Sequence, residues 1–322
     1  MRVIARFLIP KLVQCIFVVW ATYTVAFLLI HALPGDPVQA ALAVKGGDAT
    51  STDPEQLERI RERYGLDGPV WMQYITNFLG LFRGDLGVSI ATGAPVSDMI
   101  ARALPHTAAV AAFALVLGLV GAIGFTVWAY LARPAWVRNV IVQIPPLGIA
   151  IPAFLSGLVL ISVFSFALGI FPASGTSGFA SVVLPGITLA LPTGAIFFQV
   201  FSAAVFDAGA SAFVFTANAK GLAQRTVVLR HVMRNALLPS ITIIGLQVGY
   251  LAGGTAVVET VFSRDGIGRL TVDAVLARDI NVVLGVVVVV GTVYAVVTLI
   301  VDSLYGVVDP RTRTKLTGRV AR

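Results

Sequence analysis

The stretch DAGASAFVFTANAKGLAQRTVVLRHVMRNALLP, residues 207–239, decides how this chain is read. Long apolar runs flank it on both sides, so it forms a polar loop between two membrane-spanning segments. It is too long and too patterned for a plain connector. Lys220, Arg225, Arg230, His231 and Arg234 are spread along it, Gly221 sits in the middle, and Pro239 stands where the next apolar run begins.

Composition places the loop in a membrane protein. Of the 322 residues, 57% are hydrophobic and 12% charged, with a mean hydropathy of +0.90. A net charge of +7 raises the question of nucleic acid. In a membrane chain, however, basic residues collect in cytoplasmic loops and set orientation, so no nucleic-acid partner is expected. Cys15 is the only cysteine and lies inside the first apolar run, which excludes an internal disulfide and a cysteine-based metal site. No repeat and no low-complexity segment is visible.

The basic start MRVIARFLIPK leads into an apolar run at 12–30. At 1.5 Å per residue this is about 28 Å, enough to cross the hydrocarbon. It ends in HALPGDP rather than in a small-x-small cleavage site, so an uncleaved first span is expected, making residues 1–33 a cytoplasmic flank plus a membrane helix. Further runs at about 108–131, 140–168, 182–206, 237–262 and 282–305 bring the expected spans to six. They form a transmembrane core at 106–305, with its loop at 207–236 and a tail at 306–322. Pro145, Pro146 and Pro152 predict a kink in the third span. Gly118, Gly121 and Gly124, and the ladder Gly245, Gly249 and Gly253, predict close helix contacts.

Residues 34–105 are the main polar region outside the spans, read as extracytoplasmic and helical. Asp53 as N-cap, Pro54 at the first position and Gln56 as a closing partner mark a helix start. Leu57, Ile60 and Tyr64 recur at helical spacing, and Gly65 stops the helix. A second helix follows Pro69, with Val70, Tyr74, Phe78 and Leu81 on one face, and ends before GDLG.

Charge then orients the chain. Segments on the N-terminal side of the membrane hold Arg2, Arg6, Lys11, Arg133, Arg138, the loop cations and Arg311, Arg313, Lys315, Arg319 and Arg322, opposed there only by Asp207 and Asp309. The other side is net acidic. Both termini and the loop are therefore expected in the cytoplasm.

TANAKGL at 216–222, followed by VVLRHVMRNALLP at 227–239, resembles the EAA loop of ABC-importer permeases of the dipeptide/oligopeptide/nickel family. That pattern runs R-T-A-R-A-K-G-L and then R-H-x-x-R-N-A-L-L-P. Matching it are Thr216, Ala217, Ala219, Lys220, Gly221 and Leu222, then Arg230, His231, Arg234, Asn235, Ala236, Leu237, Leu238 and Pro239. LPGDP at 33–37, YGLDGPVWMQY at 64–74, GDLGVS at 84–89, FPASG at 171–175, VVETVFSRDGIGRL at 257–270, ARDINVV at 277–283 and DPR at 309–311 resemble further landmarks, so the likeness runs almost end to end. Where the family often has Arg, this chain has Phe215 and Asn218.

The resemblance implies an all-α, polytopic protein of the bacterial inner membrane with the type I ABC-importer permease fold. It implies a second, homologous permease, two ATPase subunits and an extracytoplasmic solute-binding protein as partners, with peptide as substrate and lipid as surroundings. Nickel chelates, haem and glutathione are carried by similar systems. No cofactor is expected on this chain; ATP and Mg belong to the partner ATPases. The loop would then be a coupling helix seated in an ATPase groove, with Phe213, Phe215 and Leu222 as apolar anchors. Ala217, Ala219 and Gly221 are small enough for close approach, and Lys220 and Arg225 can meet acids at the rim.

Other residues read more plainly. Glu259 and Asp302 are acids at membrane depth, each either a translocation-path residue or half of a structural ion pair; Arg264 and Arg269 are candidate partners for Glu259. His31, His106 and His231 are far apart, no catalytic constellation assembles, and no phosphate-cradling G-x-x-x-x-G-K-[ST] occurs, so the chain is not read as an enzyme. An ion-driven transporter or channel, the rival reading, predicts more intramembrane acids and two inverted halves; neither is found.

Overall fold

The computed structural model describes residues 2–32, 38–39, 54–64 and 66–308. Its helices are α1 (Arg2–Ala32), α2 (Pro54–Arg63), α3 (Val70–Leu81), α4 (Val96–Leu131), α5 (Ala135–Gln143), α6 (Leu147–Ala150), α7 (Ala153–Leu160), α8 (Ala180–Gly209), α9 (Ala212–Ala219), α10 (Gln224–Thr226), α11 (Met233–Val261), α12 (Ile267–Leu276) and α13 (Ile280–Val308). Wider π-turns follow α7 at Ile161–Ala167 and join α10 to α11 at Val227–Val232. Among the described residues the β content is an isolated bridge between Val88 and Pro95.

Five helical stretches are long and apolar enough to cross a membrane: Ile9–Ala32, Val96–Leu131, Ala180–Gly209, Pro239–Val261 and Ile280–Val301. A sixth is the pair Ala135–Ala150 and Ala153–Ala167, bent by 100°. The break falls at Ile151, extended at φ −94° and ψ 122°, as the residue before Pro152 must be. The expected kink is thus a full corner. Asp53, Gly65 and residues 309–311 lie outside the described residues, as do the side chains of Gln56, Leu57, Ile60 and Asp302.

The chain divides into two compact units, residues 1–107 with 265–295 and residues 108–264 with 296–322. In the first, Tyr23, Phe27 and Ile30 of α1 share a core with Val96 and Ile100 of α4, Ile267 and Ala274 of α12, and Val282 and Leu284 of α13. Tyr74, Phe78 and Leu81 of α3 pack on it, whereas Val70, expected on the same face, is 51% exposed. Asp279 is 2% exposed and caps α13. Its carboxylate accepts Ser89 Oγ at 2.5 Å, Ala91 N at 3.2 Å and Val282 N at 3.4 Å, while Asn281 Nδ2 donates to Val88 O at 2.9 Å. Two landmarks nearly 200 positions apart in sequence, GDLGVS and ARDINVV, therefore meet in one polar joint.

The second unit is built on α8, which packs along α11 and against α6 and α7. Gly118 of α4 and Gly194 of α8 face one another: a Cβ on either would come within 3.0 Å and 2.9 Å of the other's backbone. The expected contribution of Gly121, Gly124 and Gly253 is not seen, since a Cβ at each meets nothing within 4 Å.

Pro185, inside α8, has no N–H to donate to the Ser181 carbonyl one turn earlier. Arg264 supplies the replacement. Its Nη1 donates to Ser181 O at 2.6 Å, Ser181 Oγ at 3.0 Å and Gly175 O at 2.9 Å, and Gly175 N donates to Phe262 O at 3.1 Å. Arg264 is only 1% exposed, so this clamp holds the 175–181 segment to the end of α11 away from water. Replacing the guanidinium by an apolar chain strands buried carbonyls at about 1–3 kcal/mol each. The variant Arg264→Met is expected to unfold several degrees below the parent protein in a thermal scan of the detergent-solubilised chain. An unchanged transition would show that the clamp contributes nothing.

Candidate functional site

The polar interruption is a helix–turn–helix. α8 ends at Gly209, Ala210 N donates back to Phe206 O at 3.1 Å, and Ser211 in extended conformation starts α9. α9 closes in a Schellman turn: Leu222 N reaches Ala217 O at 3.3 Å and Gly221 N reaches Asn218 O at 2.9 Å. The turn requires Gly221 at φ +78°, where an L side chain is strained. This is the role expected for Gly221. The chain then runs through α10 and the π-turn into α11 without leaving helical geometry.

The motif has two chemically distinct faces. Val214, Ala217, Val227, Val232 and Ala236 are buried, packed with Phe197, Phe198, Phe201 and Val205 of α8. On the other face Phe215 is 79% exposed, with Phe213, Leu222 and Leu229 also exposed. Thr216, Asn218, Ala219, Lys220, Arg225 and Arg230 share the exposed side, and His231 is half-buried. Among the described residues Lys220, Arg225, Arg230 and Arg234 form no ion pair, and no acid occurs between Asp207 and Glu259.

Ala217 departs from expectation. The sequence pattern suggests a small residue admitting a partner, but Ala217 faces the chain's own core and is 7% exposed. Small size there lets α9 lie flat on the end of α8. The exposed small residues are Ala219 and Gly221.

Glu259 is fully buried in the second unit, within one and a half turns of Arg264, whose N–H donates to Glu259 O at 2.8 Å. Arg269 belongs to the first unit and lies 3.4 Å from Asp265 and 3.7 Å from Asp273. Of the two candidate partners for Glu259, Arg264 is the buried cation of the same unit, joined to it by that backbone hydrogen bond. Sequence reasoning named Arg264 but missed its three-acceptor clamp. Pro185 is the signal that could have found it: a proline inside a membrane helix announces a freed carbonyl in need of a donor.

Among the described residues no group of three or more His, Cys, Asp or Glu could hold a metal ion. What the site offers is a surface: exposed aromatics, several exposed cations and a buried backing on α8.

Comparison with known proteins agrees with this architecture. Residues 122–314 match the family profile described as "Binding-protein-dependent transport system inner membrane component", and residues 4–111 match "Binding-prot-dependent transport system membrane comp, N-term". The glutathione transport system permease protein GsiC of Escherichia coli O6:H1 is 35% identical over 314 residues, covering 96% of this chain and 99% of that protein. Its counterparts in Escherichia coli K12 and Shigella dysenteriae serotype 1 are 34% identical over the same shares. Among solved structures, the inward-facing MetNI methionine ABC transporter aligns with a TM-score of 0.57 at 15% identity, over 66% of this chain and 96% of that one. At that identity the likeness concerns the fold. The chain belongs to the binding-protein-dependent transport system family, as a multi-pass inner-membrane permease subunit of an ABC importer of the dipeptide, oligopeptide and glutathione type.

Proposed function

We propose that this subunit forms half of a peptide translocation pathway, in a heterodimer with a second permease, and that of the two ATPase subunits driving the assembly one docks on residues 207–236. ATP and Mg are held by those partners. The observation that carries the coupling assignment is the two-faced motif: one side locked into α8 and α11, the other exposing Phe215, Phe213 and Leu222 among cations that lack acids of their own. Such a surface suits a groove with an apolar floor and an acidic rim. The aromatic at 215 and the amide at 218, in place of the family's arginines, make this interface more apolar and less dependent on salt. Charge asymmetry supports a cytoplasmic position for the motif and for both termini.

In this mechanism, closure of the ATPase dimer on ATP pushes on α9. The push passes through the Val214, Ala217 and Val227 contacts into α8 and α11, and the spans rock as rigid bodies to alternate access. Glu259 is fully buried beside the Arg264 clamp, which favours a structural role over one in the path. The chain then carries few fixed charges at membrane depth, and selection among substrates falls to the solute-binding protein. Glutathione, named for the relatives, is itself a γ-linked tripeptide, so the peptide class includes it.

Gly221 separates docking from local folding. A side chain there is strained by about 1–2 kcal/mol whatever its size, yet a Cβ meets nothing within 4 Å of its own chain. Gly221→Ala is therefore expected to keep most transport, whereas Gly221→Trp is expected to lose at least ten-fold in vesicles while ATP hydrolysis continues. Equal losses in the two variants would mean that only the turn matters. Selectivity is tested by exchanging the solute-binding protein for one of different specificity over an unchanged permease. Uptake is expected to follow the new binding protein, and unchanged uptake would place selection in the membrane subunits.

A further inference from the structure

By position α3 belongs to the polar region outside the spans, but its chemistry and its depth against α1 do not fit water. Between Asp67 and Arg83, residues 68–82 include no charged side chain. One face packs inward through Tyr74, Phe78 and Leu81. The adjoining exposed face is largely apolar as well: Trp71, Ile75, Leu79 and Phe82, at helical spacing, are 65%, 46%, 53% and 75% exposed, with Thr76 the exposed polar side chain beside them.

Depth comes from the partner helix. Tyr74 packs edge-on against Phe27 at 5.2 Å and against Tyr23 at 5.3 Å, and Phe78 meets Tyr23 at 5.3 Å. Tyr23 Oη donates to Tyr74 O at 3.1 Å, and the Tyr74 hydroxyl shares a hydrogen bond with Thr24 Oγ1 at 2.8 Å. These positions of α1 belong to the apolar span Ile9–Ala32. At 1.5 Å per residue, Phe27 and Tyr23 lie about 8 and 14 Å along the axis from Ala32. The span is about 36 Å long against about 30 Å of hydrocarbon, so the crossing sits roughly 5–11 Å below the apolar boundary. That is the depth of an interfacial helix, about 5–10 Å.

Gln73 of α3 is also bonded within the protein. Gln73 Nε2 donates to Gly68 O at 2.9 Å and Leu66 O at 3.3 Å, and its Oε1 lies 3.4 Å from His31 Nε2. The loop carbonyls ahead of the helix thus have a protein donor.

We infer that α3 lies within the membrane, in the leaflet at the Ala32 end of α1, with Trp71, Ile75 and Leu79 against lipid acyl chains. The lipid-facing residues of α1 at the same height, Leu28 and Leu29, are 61% and 64% exposed and extend the same apolar surface. The assignment is independent of the coupling surface.

The test uses the assembled transporter in lipid nanodiscs. In a Cys15→Ser background, single spin labels are placed at Ile75→Cys, Leu79→Cys, Leu28→Cys as a lipid reference and Glu58→Cys as a water reference. Collision rates with oxygen and with a water-soluble nickel chelate are then compared. The labels at 75 and 79 are expected to favour oxygen several-fold, like the label at 28. Preference for the chelate, as at 58, would overturn the assignment, and so would protection from both reagents, which would mean that a protein subunit covers this face. A label-free check is fluorescence quenching by brominated lipid, expected to fall in Trp71→Phe. No fall would equally contradict the proposal.

Discussion

The packing of α8 against α11 is the interaction on which the second unit depends. Both helices are apolar almost all round, so their contact is fixed by fit rather than by a hydrophobic stripe. Buried polar groups add direction. Gln247 Nε2 donates to Thr193 O at 2.9 Å midway, and Arg264 ties the end of α11 to the carbonyl that Pro185 cannot satisfy. The buried hydroxyls of Thr188 and Ser240 return to carbonyls of their own helices at 2.8 and 2.9 Å.

The loop between these helices inherits its rigidity from them. α9 cannot pivot freely, because Val214 and Ala217 sit in the same core as Phe201 and Val205. A closed Schellman turn and a helix continued through the π-turn leave little slack before α11. A force applied to Phe215 would therefore be delivered to both long helices together. In the proposed coupling, rigidity on the inside and exposed aromatics on the outside are complementary halves of one transmission element.

Much of this was legible in the sequence. The apolar runs located the spans, and Pro145, Pro146 and Pro152 located the break, because hydrophobic length and proline are local signals. Gly221 could be assigned to its turn for the same reason. What sequence could not supply were contacts between distant residues. Whether Ala217 faces a partner or its own core depends on where α8 ends. That Ser89 meets Asp279, or that Arg264 answers Pro185, depends on pairings no periodicity encodes. Glycine ladders were a partial guide: Gly118 is buried against Gly194 and Gly245 lies close to Val301, while a Cβ at Gly121 or Gly124 meets nothing within 4 Å in this chain. For α3, the helix was visible but its depth was not, since depth is set by Tyr23 and Phe27 of another helix.

The central claim is that the exposed face of α9 meets an ATPase. It is tested most directly by placing a photo-activatable phenylalanine analogue at Phe215 and irradiating the intact transporter in membranes. The account predicts a covalent adduct between this chain and an ATPase subunit, altered in yield when ATP is bound. An adduct with lipid or with the second permease alone, or no adduct at all, would contradict it.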